Sequence, residues 1–160
     1  MSIQVGEKMP SGVFGVMTAD GPGALSTDEL FNGKKVVLVS VPGAFTPTCS
    51  ASHLPGFLQN ADGLKSRGVD TIACMAVNDV FVMDAWGKDQ GVGDKVRMLA
   101  DGNGEYAAAL GLEMDGTAFG MGKRGQRFAI VVDDGTATHV AIEAPGQFEV
   151  SKAEAVLAAL

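Results

Sequence analysis

The sequence predicts an α/β domain, a central mixed β-sheet flanked by helices. Short runs of branched apolar residues bounded by turn residues supply the strands, and amphipathic segments between them supply the helices. A tight-turn signal between two apolar segments near the C-terminus adds an antiparallel pair to the sheet.

The first run, Val36-Val37-Leu38-Val39-Ser40-Val41, is apolar on both of its alternating faces and so predicts a strand buried on both sides. Residues 69–77 and the run Phe128-Ala129-Ile130-Val131-Val132 read the same way. Between the first two, Leu54, Phe57, Leu58, Ala61 and Leu64 recur at helical spacing, and Arg67-Gly68 supplies a basic last turn and a C-terminal glycine. A second helix is expected from Asp79 to about Lys88, then a strand over residues 95–100 and an Ala-rich helix over residues 105–110. Asp133-Asp134-Gly135 joins the third run to residues 136–142 as a hairpin. Ser151 with Glu154 three residues on forms a capping-box pattern that opens a last helix running to Leu160. This order of elements is the layout of thioredoxin-like folds.

At 160 residues the chain suffices for one compact domain, and a single domain over residues 1–160 is expected. Twelve basic side chains against nineteen acidic ones give a net charge of −7, a poor match for nucleic acid or an anionic membrane. No apolar run approaches the roughly 20 residues of a membrane-spanning helix. The first seven residues lack a basic segment followed by an apolar one, so a soluble, cytoplasmic protein is expected. Cys49 and Cys74 are too few for a disulfide scaffold and fit a reducing compartment.

The chemistry concentrates after the first strand, in Pro42-Gly43-Ala44-Phe45-Thr46-Pro47-Thr48-Cys49. Thr46 suits the N-cap and Pro47 the first helical position, which puts Cys49 third. There the helix dipole and unpaired backbone N–H groups favour thiolate over thiol. An ordinary thiol near 8.5 is a few per cent ionised at neutral pH, whereas one near 6 is about nine-tenths ionised. Helix placement contributes only about 1 kcal/mol, less than that change requires, so a nearby cation has to complete it.

Pro42, Thr46 and Cys49, in the pattern Pro-x-x-x-Thr-x-x-Cys after a strand, resemble the active-site signature of peroxiredoxins. Residues 42–57 are similar to the type II group, and Val77-Asn78-Asp79, Trp86-Gly87, residues 96–101 and Arg127-Phe128 extend the likeness over most of the chain. The resemblance implies a thiol peroxidase acting on hydrogen peroxide and small alkyl hydroperoxides, in which Cys49 becomes a sulfenic acid. It implies that the Thr46 hydroxyl hydrogen-bonds the thiolate and the peroxide, that Pro42 shields the site from water, and that Arg127 supplies the cation. No cofactor is implied. Glutathione, glutaredoxin or thioredoxin is implied as reductant, because residues 143–152 contain no cysteine for an internal C-terminal disulfide. The resemblance also implies a homodimer whose loops meet near Phe45, Trp86 and Phe119, although these aromatics read equally well as core.

Several features of the chain admit other readings. Cys74 lies among Ile72, Ala73, Met75 and Ala76 in an apolar strand and reads first as core, with a resolving thiol as the alternative. His53, four residues after Cys49, opens a Cys–His hydrolase reading but lacks an evident orienting partner, so it reads as a helix-face packing or hydrogen-bonding group, and His139 as structural. These cysteines and histidines lack the paired spacing of zinc ligands. Lys123 and Arg124 read as a solvated turn. The string from Gly120 to Gly125 matches G-x-G-x-x-G literally but precedes a strand, where a dinucleotide site needs a helix. Position 55 is Pro55 where a cysteine phosphatase needs arginine. The remaining alternatives are a thioredoxin-like thiol oxidoreductase or redox-regulated chaperone, disfavoured by Ser52 in place of a second cysteine, and a noncatalytic module.

Overall fold

The computed structural model describes all of residues 1–160. Its main sheet has seven strands in the order β2-β1-β5-β4-β3-β8-β9. Strands β3 (Lys35–Ser40), β4 (Thr71–Ala76) and β5 (Arg97–Ala100) run parallel at its centre. The antiparallel hairpin of β8 (Phe128–Asp133) and β9 (Thr136–Ile142) flanks them on the β3 side. The hairpin of β1 (Val13–Thr18) and β2 (Gly21–Ser26) closes the other edge. Residues 6–34 carry no run of branched apolar residues, and this hairpin and the short helix α1 (Thr27–Phe31) after it escape the sequence reading. The signals are present as the Asp20-Gly21 turn and a formed Ser26/Glu29 capping box.

Alternation along the central strands divides the interior into two layers. Val37, Val39, Val41, Ile72, Cys74, Ala129 and Val131 face one side. There they meet α2 (Leu54–Gln59), α3 (Ala61–Ser66), α4 (Val80–Gln90) and α6 (Ala153–Ala159). Val36, Leu38, Ala73, Met75, Ile130 and Val132 face the other, against α1 and α5 (Glu105–Leu110). The continuous apolar runs are strands because helices cover both faces.

The segment after β3 departs from one regular helix. Helical backbone begins at Pro47, as expected, and the Thr46 carbonyl accepts from the Ser50 amide at 2.9 Å. Residues Cys49–His53 then widen into a π turn in which the Leu54 amide donates to the Cys49 carbonyl. The cause is Pro55, which has no N–H to give the preceding turn and whose ring would crowd the carbonyl four residues back. A second break at Asn60, whose side-chain amide donates to the Gly56 carbonyl at 2.8 Å, splits the expected helix into α2 and α3. α3 ends before Arg67 and Gly68, the latter at φ +91°, as the C-terminal signal requires.

Two further expectations are corrected. Ser151 caps no helix: α6 starts at Ala153, and the Ser151 hydroxyl donates instead to Glu143. Trp86 fronts no surface; it is fully buried and its indole N–H donates to Ser50 Oγ at 2.9 Å, pinning α4 to the π turn. Replacing Ser50 with Ala leaves that indole donor buried without a partner, so denaturant unfolding of Ser50→Ala is expected to show a loss of about 1–3 kcal/mol.

Candidate active site

Sheet register places the cation beside the cysteine. In the β3/β8 ladder Ser40 pairs with Phe128, so one step beyond the strand ends Val41 stands opposite Arg127. Arg127 shares its side of β8 with Ala129 and Val131, both in the layer that holds Cys49. Its Nη2 donates to Cys49 Sγ at 3.1 Å, and its Nη1 donates to His53 Nδ1 at 2.8 Å. The Phe148 ring centroid lies 5.9 Å from the guanidinium carbon. The single ion pair of the structure, Lys88 with Asp84, lies elsewhere, so no carboxylate neutralises Arg127.

His53 does more than pack on a helix face. Arginine can only donate and a carbonyl can only accept, so Nδ1 is the acceptor and Nε2 carries the proton given to the Ser151 carbonyl at 3.0 Å. Burial, and after it the neighbouring guanidinium, push His53 down to about 4. The imidazole is therefore neutral and orients Arg127 without adding a competing charge. Ser151 is held in turn by Glu143, whose Oε2 accepts from the Ser151 hydroxyl at 2.6 Å and from the amides of Ser151 and Glu149 at 2.8 Å. Burial raises the Glu143 carboxyl, but the Ser151 hydroxyl and the backbone donors outweigh it and hold the group below its ordinary range. This relay from Glu143 through Ser151 and His53 to Arg127 was not anticipated. Only His53, one π turn from the cysteine, carried any signal of it.

The loop ahead of the helix is fixed from two sides, by Asn78 and by an anchored Arg124. Ala44 N–H donates to Asn78 Oδ1 at 2.9 Å, Arg124 Nη1 to the Pro42 carbonyl at 3.4 Å, and Arg124 Nε to the Met121 carbonyl at 2.9 Å. Arg124 is thus a part-buried clamp, a correction to its reading as a solvated turn. It belongs to a second, two-stranded sheet of β6 (Glu113–Asp115) and β7 (Lys123–Gly125) that short polar segments did not announce. Gly43 fits closely here: a Cβ would come within 3.1 Å of Arg124 Nη1 and 3.2 Å of Thr46 Cγ2, and those side chains would have to give way. These contacts hold Phe45 at φ +64°, a conformation that costs a non-glycine residue of order 1 kcal/mol.

Thr46 sits at the helix start as expected, but its hydroxyl donates to the Gly43 carbonyl at 2.7 Å, not to the sulfur. What it offers the site is a lone pair. Pro42 and Arg127 line a cleft of about 500 Å³ together with Met114, Phe148, Glu113 and Asp115. Cys49 itself has no exposed surface and lies behind them, more enclosed than a freely reachable nucleophile. Cys74, on the same side of the sheet, is buried, and burial followed by the adjacent Cys49 pushes its thiol up. Its reading as core stands.

Residues 4–157 match the Redoxin family model. Peroxiredoxin-2B of Arabidopsis thaliana is 48% identical over 159 residues, covering 99% of this chain and 98% of that protein. The chain belongs to the peroxiredoxins. It is a thiol peroxidase with a thioredoxin-like fold. Chloroplastic Peroxiredoxin-2E of the same plant is 46% identical across 99% of this chain and 70% of that protein. Among solved structures, reduced Prx3 of Vibrio vulnificus in complex with hydrogen peroxide superposes with a TM-score of 0.94 at 51% identity, covering 98% of both chains.

The neutral His53 of this peroxiredoxin makes its stability depend on pH in a stated direction. The unfolded chain takes up a proton near the ordinary value of 6.5, whereas the folded one does so only at about 4. Between those values the unfolded state binds more protons, so acidification destabilises the fold. Denaturant unfolding is expected to lose roughly 3 kcal/mol across that window, and His53→Gln, which cannot titrate, to flatten it.

Proposed function

We propose that Cys49 is the peroxidatic nucleophile of this enzyme. The thiolate attacks one oxygen of a hydroperoxide and the O–O bond breaks. The terminal oxygen stays on Cys49 as a sulfenic acid, and the other oxygen, which bears the organic group or a hydrogen, leaves with the bonding electrons and takes a proton to become an alcohol or water. The observation that carries this reading is a guanidinium 3.1 Å from the sulfur with no carboxylate to neutralise it. Its charge meets the negative charge that develops on the leaving oxygen. Thr46, its proton already given to Gly43, accepts a hydrogen bond from the peroxide, and Pro42 narrows the approach. Enclosure of the sulfur favours small oxidants over bulky thiol reagents.

An external thiol, by family likeness glutathione, glutaredoxin or thioredoxin, then condenses with the sulfenic acid to a mixed disulfide and water, and a second thiol releases Cys49. Burial of Cys74 in a central strand supports an external donor. Two unpaired thiols support work in a reducing cytoplasm. Phe45 and Phe119, 53% and 82% exposed, support a homodimer that covers them.

Cys49→Ser is expected to abolish consumption of hydrogen peroxide with dithiothreitol, and Cys74→Ser to keep most of it; a fully active Cys49→Ser would overturn the assignment. Sedimentation at micromolar protein is expected to give a dimer for the wild type and a monomer for Phe119→Asp.

A further inference from the structure

We infer that the cleft in front of Arg127 discriminates by charge, admitting uncharged hydroperoxides in preference to anionic ones, and that Glu113 and Asp115 are the residues responsible. This rests on the peroxidase reading and adds a substrate class to it. The cleft, of about 500 Å³, is large enough for an organic group of some ten heavy atoms on the hydroperoxide. Pro42, Met114 and Phe148 give it apolar wall. Its charged groups are Arg127 and three carboxylates, Glu113, Asp115 and Glu143.

The cation is already committed. Arg127 donates to the sulfur and to His53, so once Cys49 is ionised its charge is matched. Arg124 donates to two backbone carbonyls and is not part of the cleft wall. Glu143 is tied by the Ser151 and Glu149 donors and keeps its negative charge. Glu113 and Asp115 flank Met114 on β6; all three residues line the cleft, and the two acidic ones are exposed. Asp115 is held ionised by the Thr117 hydroxyl and amide. Lys123 pairs with it across the strand but does not line the cleft, and Glu113 pairs with Gly125, which has no charge to offer. An anion entering this space therefore meets three carboxylates against one guanidinium already bonded to the sulfur and to His53, whereas a neutral peroxide crosses it without that repulsion on its way to the sulfur behind the wall.

The probes that isolate charge are cumene hydroperoxide and its para-carboxylate, which share a reacting group and nearly a shape. At about 10 Å through water a single carboxylate slows entry of an anion about twofold, and two do so about fourfold. In the full-length protein, the rate of the carboxylate probe relative to the neutral one is expected to rise about fourfold in Glu113→Gln with Asp115→Asn. Glu113→Gln alone, whose side chain makes no hydrogen bond, is expected to give about half of that effect, and added salt to raise the wild-type ratio in the same direction. A ratio unmoved by the substitutions, or both probes changing by one common factor, overturns the charge-selection proposal alone. Absence of Cys49-dependent turnover of cumene hydroperoxide while hydrogen peroxide is still consumed overturns this proposal alone; absence of turnover with both overturns the peroxidase reading as well.

Discussion

A lone guanidinium held against a buried sulfur organises this molecule. Arg127 is part-buried and has no acidic partner, an arrangement that would ordinarily be costly because a desolvated charge lacks its counter-ion. The cost is offset by a neutral imidazole that accepts one of its N–H groups, an aromatic face beside it, and a sulfur that can carry negative charge. The remaining parts of the site serve to keep those three groups in place. Glu143 and Ser151 fix the histidine, and the histidine fixes the arginine.

The fold makes the meeting of Arg127 and Cys49 a matter of parity. Side chains alternate along a strand, so Arg127, two residues before Ala129, projects into the layer occupied by the helices that follow β3. A slip of one residue in the β3/β8 register would send it to the opposite face and away from the cysteine. The uninterrupted apolar stretch of β8, buried on both sides, and the Asp134-Gly135 turn behind it hold that register. Catalytic geometry and core packing are therefore specified by the same residues.

Much of this was legible in the chain itself. The central strands, the β8/β9 hairpin, the helix start at Pro47 and the three residues of the peroxiredoxin signature, Pro42, Thr46 and Cys49, all rest on patterns of one to two turns, which local physics decides. What escaped depends on residues distant in sequence. Ser151 and Glu154 have the letters of a capping box, yet Glu143, eight residues upstream, offers the serine a carboxylate and wins. Thr46 could donate to the sulfur, but the Gly43 carbonyl is nearer to hand in a loop whose tight bend no propensity describes. The π turn follows from Pro55, visible in the sequence, although its consequence for the preceding residues is not a matter of periodicity. The β6/β7 sheet is short and polar, and only its contacts with the active-site loop reveal its purpose.

Trp86 is the one tryptophan of the chain, and its indole is bonded to Ser50, the immediate neighbour of Cys49. A bulky reductant can reach the oxidised sulfur only if the π turn loosens, and loosening it severs that bond and carries the fluorophore from a dry, hydrogen-bonded niche toward water. The emission of this one indole would therefore report the opening of that turn without any added label.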